Sequence, residues 1–175
     1  LLIVIFLFKE GFGLFNSPSV EHGYTLVVNS KNAVNKLNVL EIKEIFDSEI
    51  TNWAELGGAD EEIKIFRIDD IFNMYSEEEF GEDYALLPQK LGEVIAQNPN
   101  IIAFLPEKYA PTNMPGVKMI TTGNINVEDF FGGKQWMPTA TPAPLFGVLP
   151  LILGTLLVSI VAILIALPLG LGVAI

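Results

Sequence analysis

The polar and apolar positions divide this chain into two regimes. From Gly147 to Leu167 only Thr155 and Ser159 carry polar side chains, and no charge appears anywhere from residue 135 to residue 175. An uninterrupted apolar stretch beyond about 18 residues reads as a membrane span. As a helix, Gly147 to Leu167 would rise about 31 Å, the thickness of a hydrocarbon core. The run Leu1–Phe8 is also apolar, but eight residues reach only about 12 Å as a helix. It is expected to be the end of a truncated first membrane helix, with a signal-peptide remnant as the rival; no basic n-region or small-residue cleavage site is visible. The chain stops at Ile175 still apolar, so the second helix, 147–175, is expected to be truncated as well.

Between these runs the periodicity alternates. Tyr24–Asn29 is a short apolar run suited to a buried strand. Asn38 with Glu41 forms a capping-box signal, opening a helix over Val39–Phe46 with Val39, Ile42, Ile45 and Phe46 on one face. Thr51-Asn52 caps a short turn that carries Trp53 and Leu56 and closes at Gly57-Gly58. Ile63–Ile68 is expected as a second strand, and Asp69 or Asp70 starts a helix running from Ile71 to about Phe80. A third helix spans Pro88–Gln97, with Pro88 in its first turn. Ile101–Leu105 and Val117–Ile120 are further strands, and Val127–Phe131 is a brief helix ended by Gly132-Gly133. This alternation predicts an α/β domain with a mixed, partly parallel sheet over residues 9–134. Residues 135–146, containing Pro138-Thr-Ala-Thr-Pro-Ala-Pro144, have the composition of a stiff linker.

Charge narrows the partners. All ten basic and all 21 acidic side chains lie between Lys9 and Lys134, so the domain carries the whole net charge of −11. With one arginine and no basic patch, nucleic acid is excluded as a partner, and anionic head groups would repel the domain. The absence of cysteine removes disulfide and thiolate chemistry without fixing a compartment. No nucleophile–base pair or metal-ligand spacing stands out, so neither an enzyme nor a cofactor is expected. His22 reads as a loop residue. Glu77-Glu-Glu79 with Glu82 and Asp83 lacks the spacing and glycine of a calcium loop and reads as a solvated face.

Two resemblances follow from particular strings. Phe6-Leu-Phe-Lys-Glu-Gly11, Trp136-Met-Pro138, Phe146-Gly-Val-Leu-Pro150-Leu-Ile-Leu-Gly154-Thr155 and Ile165-Ala-Leu-Pro168-Leu-Gly-Leu-Gly172-Val-Ala-Ile175 resemble the PstC-type permease subunit of phosphate ABC importers. Between them, Val34-Asn-Lys-Leu37, Ile50-Thr-Asn-Trp-Ala-Glu-Leu-Gly-Gly-Ala-Asp60, Arg67 and Asn98-Pro-Asn-Ile-Ile-Ala-Phe104 resemble one lobe of the periplasmic phosphate-binding-protein family, over about residues 23–123. Together they imply a receptor-like α/β lobe flanked by transmembrane helices. They also imply a bacterial plasma-membrane location with the lobe extracytoplasmic. The implied partners are a second permease subunit, cytoplasmic ATPase subunits, a periplasmic phosphate-binding protein and the lipid bilayer.

In the binding proteins an arginine followed closely by Ser-Gly-Thr opens the helix whose N–H groups hold phosphate. Here Arg67 is followed by Ile68-Asp69-Asp70-Ile71-Phe72, with two carboxylates and no hydroxyl–glycine donors. The lobe is therefore expected to have lost phosphate binding and to serve docking or gating, with Arg67 the one candidate for a surviving anion contact. The alternative is a membrane-anchored solute-binding or sensor module that takes an anion itself. In the apolar run, Gly154, Ala162, Ala166, Gly170 and Ala174 make a stripe of small residues suited to close helix packing. Pro168, with Gly170 and Gly172 beyond it, is expected to bend or break that helix.

Overall fold

The computed structural model describes residues 19–174, with side chains to residue 172, together with Ile3, Phe6, Lys9, Gly13 and Phe15. The expected end of a first membrane helix over 1–8 thus lies outside the described residues, save Ile3 and Phe6. The chain divides into two compact units. One comprises residues 16–124 and 140–144, the other residues 1–15, 125–139 and 145–175.

The first unit is an α/β lobe. Strands β1 (Tyr24–Asn29), β3 (Lys64–Arg67), β4 (Ile101–Pro106) and β5 (Val117–Met119) form a sheet in the order β3-β4-β1-β5. β3 and β4 run parallel, whereas β1 is antiparallel to both β4 and β5, so the sheet is mixed. A two-stranded parallel pair, β2 (Lys36–Leu37) with β6 (Thr121–Thr122), has too little apolar patterning to be read from sequence. Strand β4 is buried along Ile101–Leu105. Its Ile101, Ala103 and Leu105 join Val27, Phe66 and the buried faces of two helices, α2 (Ile68–Phe72) and α3 (Leu87–Gln97). Ile102 and Phe104 point the other way, as strand alternation requires, and Phe46 of α1 (Val39–Phe46) lies edge-on to Phe104. Helices thus cover both faces of the sheet.

Local signals set the helix starts. Asn38 accepts the Glu41 N–H at 2.9 Å, and the Glu41 carboxylate accepts the Asn38 N–H at 2.8 Å. Asn52 caps a 3-10 turn over Trp53–Leu56 in the same way, and Gly57 closes it in the left-handed conformation at φ 78°. Trp53 is buried, and its Nε1–H donates to the Asn100 carbonyl at 3.0 Å, locking the turn to the loop before β4. Asn29 is buried at the end of β1. Its Nδ2 donates to the Ile95 and Ala96 carbonyls at the end of α3, while its Oδ1 accepts the Lys31 N–H.

The structure corrects three expectations. The helix expected over Ile71–Phe80 is split: α2 ends at Phe72, and a separate 3-10 turn spans Glu77–Phe80. Ser76 restarts the chain there, because the Glu79 carboxylate accepts both its N–H at 3.0 Å and its hydroxyl at 3.2 Å. Those bonds hold the Glu79 pKa below the ordinary carboxylate value, the backbone bond contributing most. A capping pair inside an apolar pattern is a start signal, and it overrides the period. Next, the proline-rich segment 138–144 is not wholly a linker. Pro142 and Ala143 are buried, the Glu21 N–H donates to the Pro142 carbonyl at 2.9 Å, and residues 140–144 belong to the lobe.

The third correction concerns the long helix of the second unit. There, β7 (Trp136–Met137) pairs antiparallel with β8 (Leu145–Phe146), next to a short helix α4 (Val127–Gly132). Gly133 and Gly147 approach so closely that a Cβ on either would collide with the backbone of the other. Helix α5 then runs over Leu149–Ala174 and continues through Pro168, where a bend or break was expected. Residues Leu149–Gly172 are long and apolar enough to cross a membrane, with a mean hydropathy of 2.7. The two polar side chains are satisfied within the helix: Thr155 donates to the Leu151 and Ile152 carbonyls, and Ser159 to the Thr155 carbonyl.

Two outcomes follow for stability. Replacing Asn29 by alanine is expected to destabilise the lobe by about 2–3 kcal/mol, because the Ile95 carbonyl and its neighbour lose their shared donor. Urea unfolding followed by tryptophan fluorescence would check it; an unchanged midpoint would remove Asn29 from the lobe's stability. A piece covering 16–144 is expected to melt cooperatively, and at a higher temperature than one ending at Gly123, which lacks the buried Pro142 and Ala143. Circular dichroism melts of the two pieces that coincide would contradict this.

Candidate functional site

In open α/β sheets, ligands lie outside the carboxyl ends of the strands. The register brings those ends together in the lobe. Arg67 at the end of β3 aligns with Phe104 of β4, Phe104 with Leu26 of β1, and Tyr24 at the start of β1 with Pro106. The edge therefore carries Arg67 and a row of rings. Tyr24 stacks on Phe104 with centroids 4.6 Å apart and planes 17° from parallel. Phe46 meets Phe104 edge-on at 5.9 Å, and the Arg67 guanidinium sits 5.6 Å from the Phe46 ring centre. Of the sequence-derived site residues, Arg67 is on this edge. Gly154, Ala162, Ala166, Gly170 and Ala174 are on α5, in the other unit. A Cβ at Gly154 or Gly170 would meet nothing within 4 Å, so among the described residues nothing packs on that part of the stripe.

The geometry after β3 is unfavourable to an oxyanion. Asp70 Oδ2 accepts the Arg67 backbone N–H at 2.7 Å, so a carboxylate of the chain itself occupies the donor that opens α2. Helix α2 has only five residues, too few for an effective N-terminal dipole. Asp69, exposed beside it, adds a second negative charge. The guanidinium of Arg67 remains exposed, with one face over Phe46.

Further along the edge, a cleft of about 340 Å³ is lined by Glu21, His22, Tyr24, Thr25, Glu107 and Met119, among others. Its lining carries the carboxylates of Glu21 and Glu107 beside the exposed His22, a field that disfavours anions. Thr25, buried at the mouth of β1, gave no sequence signal beyond strand membership. Among the described residues, no group of three or more histidine, aspartate or glutamate side chains is placed to hold a metal ion. Lys118 lies elsewhere on the lobe. Its Nζ donates to the Asn32 carbonyl and to Asn35 Oδ1, and burial pulls its pKa down.

Residues 7–85 match a family model described as a PBP superfamily domain. No curated protein matches the chain. Among solved structures, the chain is similar to an ABC-type phosphate transport receptor from Vibrio cholerae, at 21% identity over 61% of this chain and 48% of that one, with a TM-score of 0.42. It is also similar to a protein from Planctomyces limnophilus titled a possible phosphate binding protein, at 19% identity over 74% of this chain and 53% of that one, with a TM-score of 0.41. The chain spans about half the length of these structures.

Proposed function

We propose that this chain is the N-terminal part of a permease subunit of an ABC importer for inorganic phosphate. In this reading a receptor-like extracytoplasmic lobe lies between its first two membrane helices and serves docking or gating. The observation that supports the lobe's role is the bond from the Arg67 N–H to Asp70, at the position where the resemblance would put the anion. The PBP-like match over 7–85 supports the scaffold, and the apolar length of Leu149–Gly172 supports a membrane helix. The phosphate and permease assignments rest on the resemblance of the flanking strings. With a net charge of −11, the lobe would repel an approaching anion, more so at low salt, so steering substrate is the wrong role for it. Contact with the phosphate-binding protein, or with the second permease subunit above the ATPase subunits, fits that charge better. The stripe Gly154, Ala162, Ala166, Gly170 and Ala174 would let α5 pack closely against a neighbouring helix of the assembly.

A second reading, an anchored module that binds an anion itself, is favoured by one feature: the Arg67 guanidinium is exposed at the carboxyl edge of the sheet. Calorimetric titration separates the two. Phosphate is expected to bind no tighter than about 1 mM. A micromolar dissociation constant that disappears in Arg67→Ala would establish the second reading instead. For the first, deleting residues 23–123 from the whole permease and bridging the gap with a flexible linker should leave membrane insertion intact and change phosphate uptake. Uptake equal to the parent in rate and half-saturation would reduce the lobe to a passive insertion.

A further inference from the structure

Among the described residues, the segment from Ile68 to Leu87 leaves a group of apolar side chains partly exposed. Phe80 is fully buried, and the rings of Phe72 and Tyr84 lie over it at 5.2 Å and 6.1 Å, themselves 5.9 Å apart. Leu86 joins them: its N–H donates to the Phe80 carbonyl at 2.9 Å, and its side chain lies 3.6 Å from where a Cβ of Gly81 would be. Yet Phe72, Tyr84 and Leu86 are 38%, 36% and 46% exposed, and nearby Met74 is 56% exposed. The chain breaks at Asn73 and then passes through left-handed conformations at Gly81, Asp83 and Tyr84, with φ of 73°, 52° and 59°. Left-handed backbone is unfavourable for residues with a Cβ, and such strain concentrates at functional surfaces.

The charges of this segment are of one sign. Over the same 20 residues the chain carries Asp69, Asp70, Glu77, Glu78, Glu79, Glu82 and Asp83 and no lysine or arginine. None of these carboxylates is in an ion pair among the described residues, where the Lys43–Asp47 pair lies elsewhere. The adjacent cation, Lys90, sits over the Tyr75 ring at 4.7 Å. Asp70 and Glu79 are held by the Arg67 and Ser76 backbone N–H groups, and Lys90 lies near enough to lower the Glu79 pKa further, which leaves Asp69, Glu77, Glu78, Glu82 and Asp83 as exposed carboxylates beside the apolar side chains, a combination that complements one kind of partner.

We propose that the Phe72–Tyr84–Leu86 face is a docking surface for a basic amphipathic segment of a partner protein, its apolar side chains seated on the rings and its lysines or arginines on the exposed carboxylates. Charge complementarity selects this occupant. An anionic membrane surface would be repelled by these carboxylates, and a second copy of this chain would bring its own net charge of −11. The inference rests on the docking role above and names the surface that performs it.

The test uses the whole chain in phosphatidylcholine nanodiscs and a labelled Leu–Lys amphipathic peptide, read by fluorescence anisotropy. Binding is expected, weakening with added salt, and the combined variant Glu77→Gln, Glu78→Gln, Glu82→Gln, Asp83→Asn should weaken it about tenfold or more. A Leu–Glu peptide of the same pattern should not bind. Because these four side chains are exposed, the variant should keep its melting curve, whereas Phe72→Ser risks the fold. Equal affinity of parent and variant, equal binding of the Leu–Glu peptide, or equal binding to empty nanodiscs would overturn the surface. In the whole permease, uptake that responds to deleting 23–123 but not to the four-fold variant would overturn this surface and leave the docking role standing. Uptake indifferent to the deletion would overturn the docking role and this inference with it.

Discussion

Strand β4 is the constraint on which the lobe depends. Ile101 to Leu105 have no exposed face, so both sides of the strand must be covered and both edges paired. Parallel pairing with β3 forces a crossover, and that crossover delivers α2, the 3-10 turns and α3 to one face. Antiparallel pairing with β1 brings Tyr24 onto Phe104, with α1 on the other face through Phe46. Asn29 then ties the far end of β1 to the end of α3 through two carbonyls, and Trp53 ties its turn to the loop that feeds β4. Burial of one strand thus sets which elements meet, and side-chain hydrogen bonds fasten them at both ends.

The chemistry of the sheet edge follows from the same arrangement. The register that aligns Arg67 with Phe104 sets the guanidinium beside an aromatic row, where a cation is well accommodated. The local chemistry is equally particular: a carboxylate three residues after Arg67 reaches back to its amide. An N–H already bonded to a carboxylate in the same turn has little left to offer a phosphate oxygen, and the second carboxylate adds repulsion. The fold around β4 does not depend on this contact, since it is stabilised by the burial of β4 and its neighbours.

The second unit is dominated by its long apolar helix. Helix α5 leaves its apolar side chains exposed, which would be costly in water and is favourable in hydrocarbon. Thr155 and Ser159 turn back onto backbone carbonyls, the arrangement that apolar surroundings require of a hydroxyl. At the foot of this helix the close approach of Gly133 and Gly147 shows why those two positions lack side chains.

The sequence by itself determined whatever depends on neighbours a few residues apart. The capping boxes at Asn38 and Asn52, the left-handed closure at Gly57, the strand Tyr24–Asn29 and the length of the apolar helix were legible because their energetics are local. The α/β alternation was legible for the same reason. Even there one local signal, the Ser76–Glu79 pair, was hidden beneath the apolar period it interrupts. Only the tertiary structure decided the order β3-β4-β1-β5, the pairing of β2 with β6, the return of Pro142 and Ala143 into the lobe, and the part played by Asn29. The same is true of the aromatic row beside Arg67 and of the exposed face around Phe80. Apart from that face, whose residues lie within one segment and are arranged by left-handed turns at Gly81, Asp83 and Tyr84, each joins residues far apart in sequence, and the free energy that selects such contacts comes from burial and hydrogen bonding across the fold, which a local pattern does not encode.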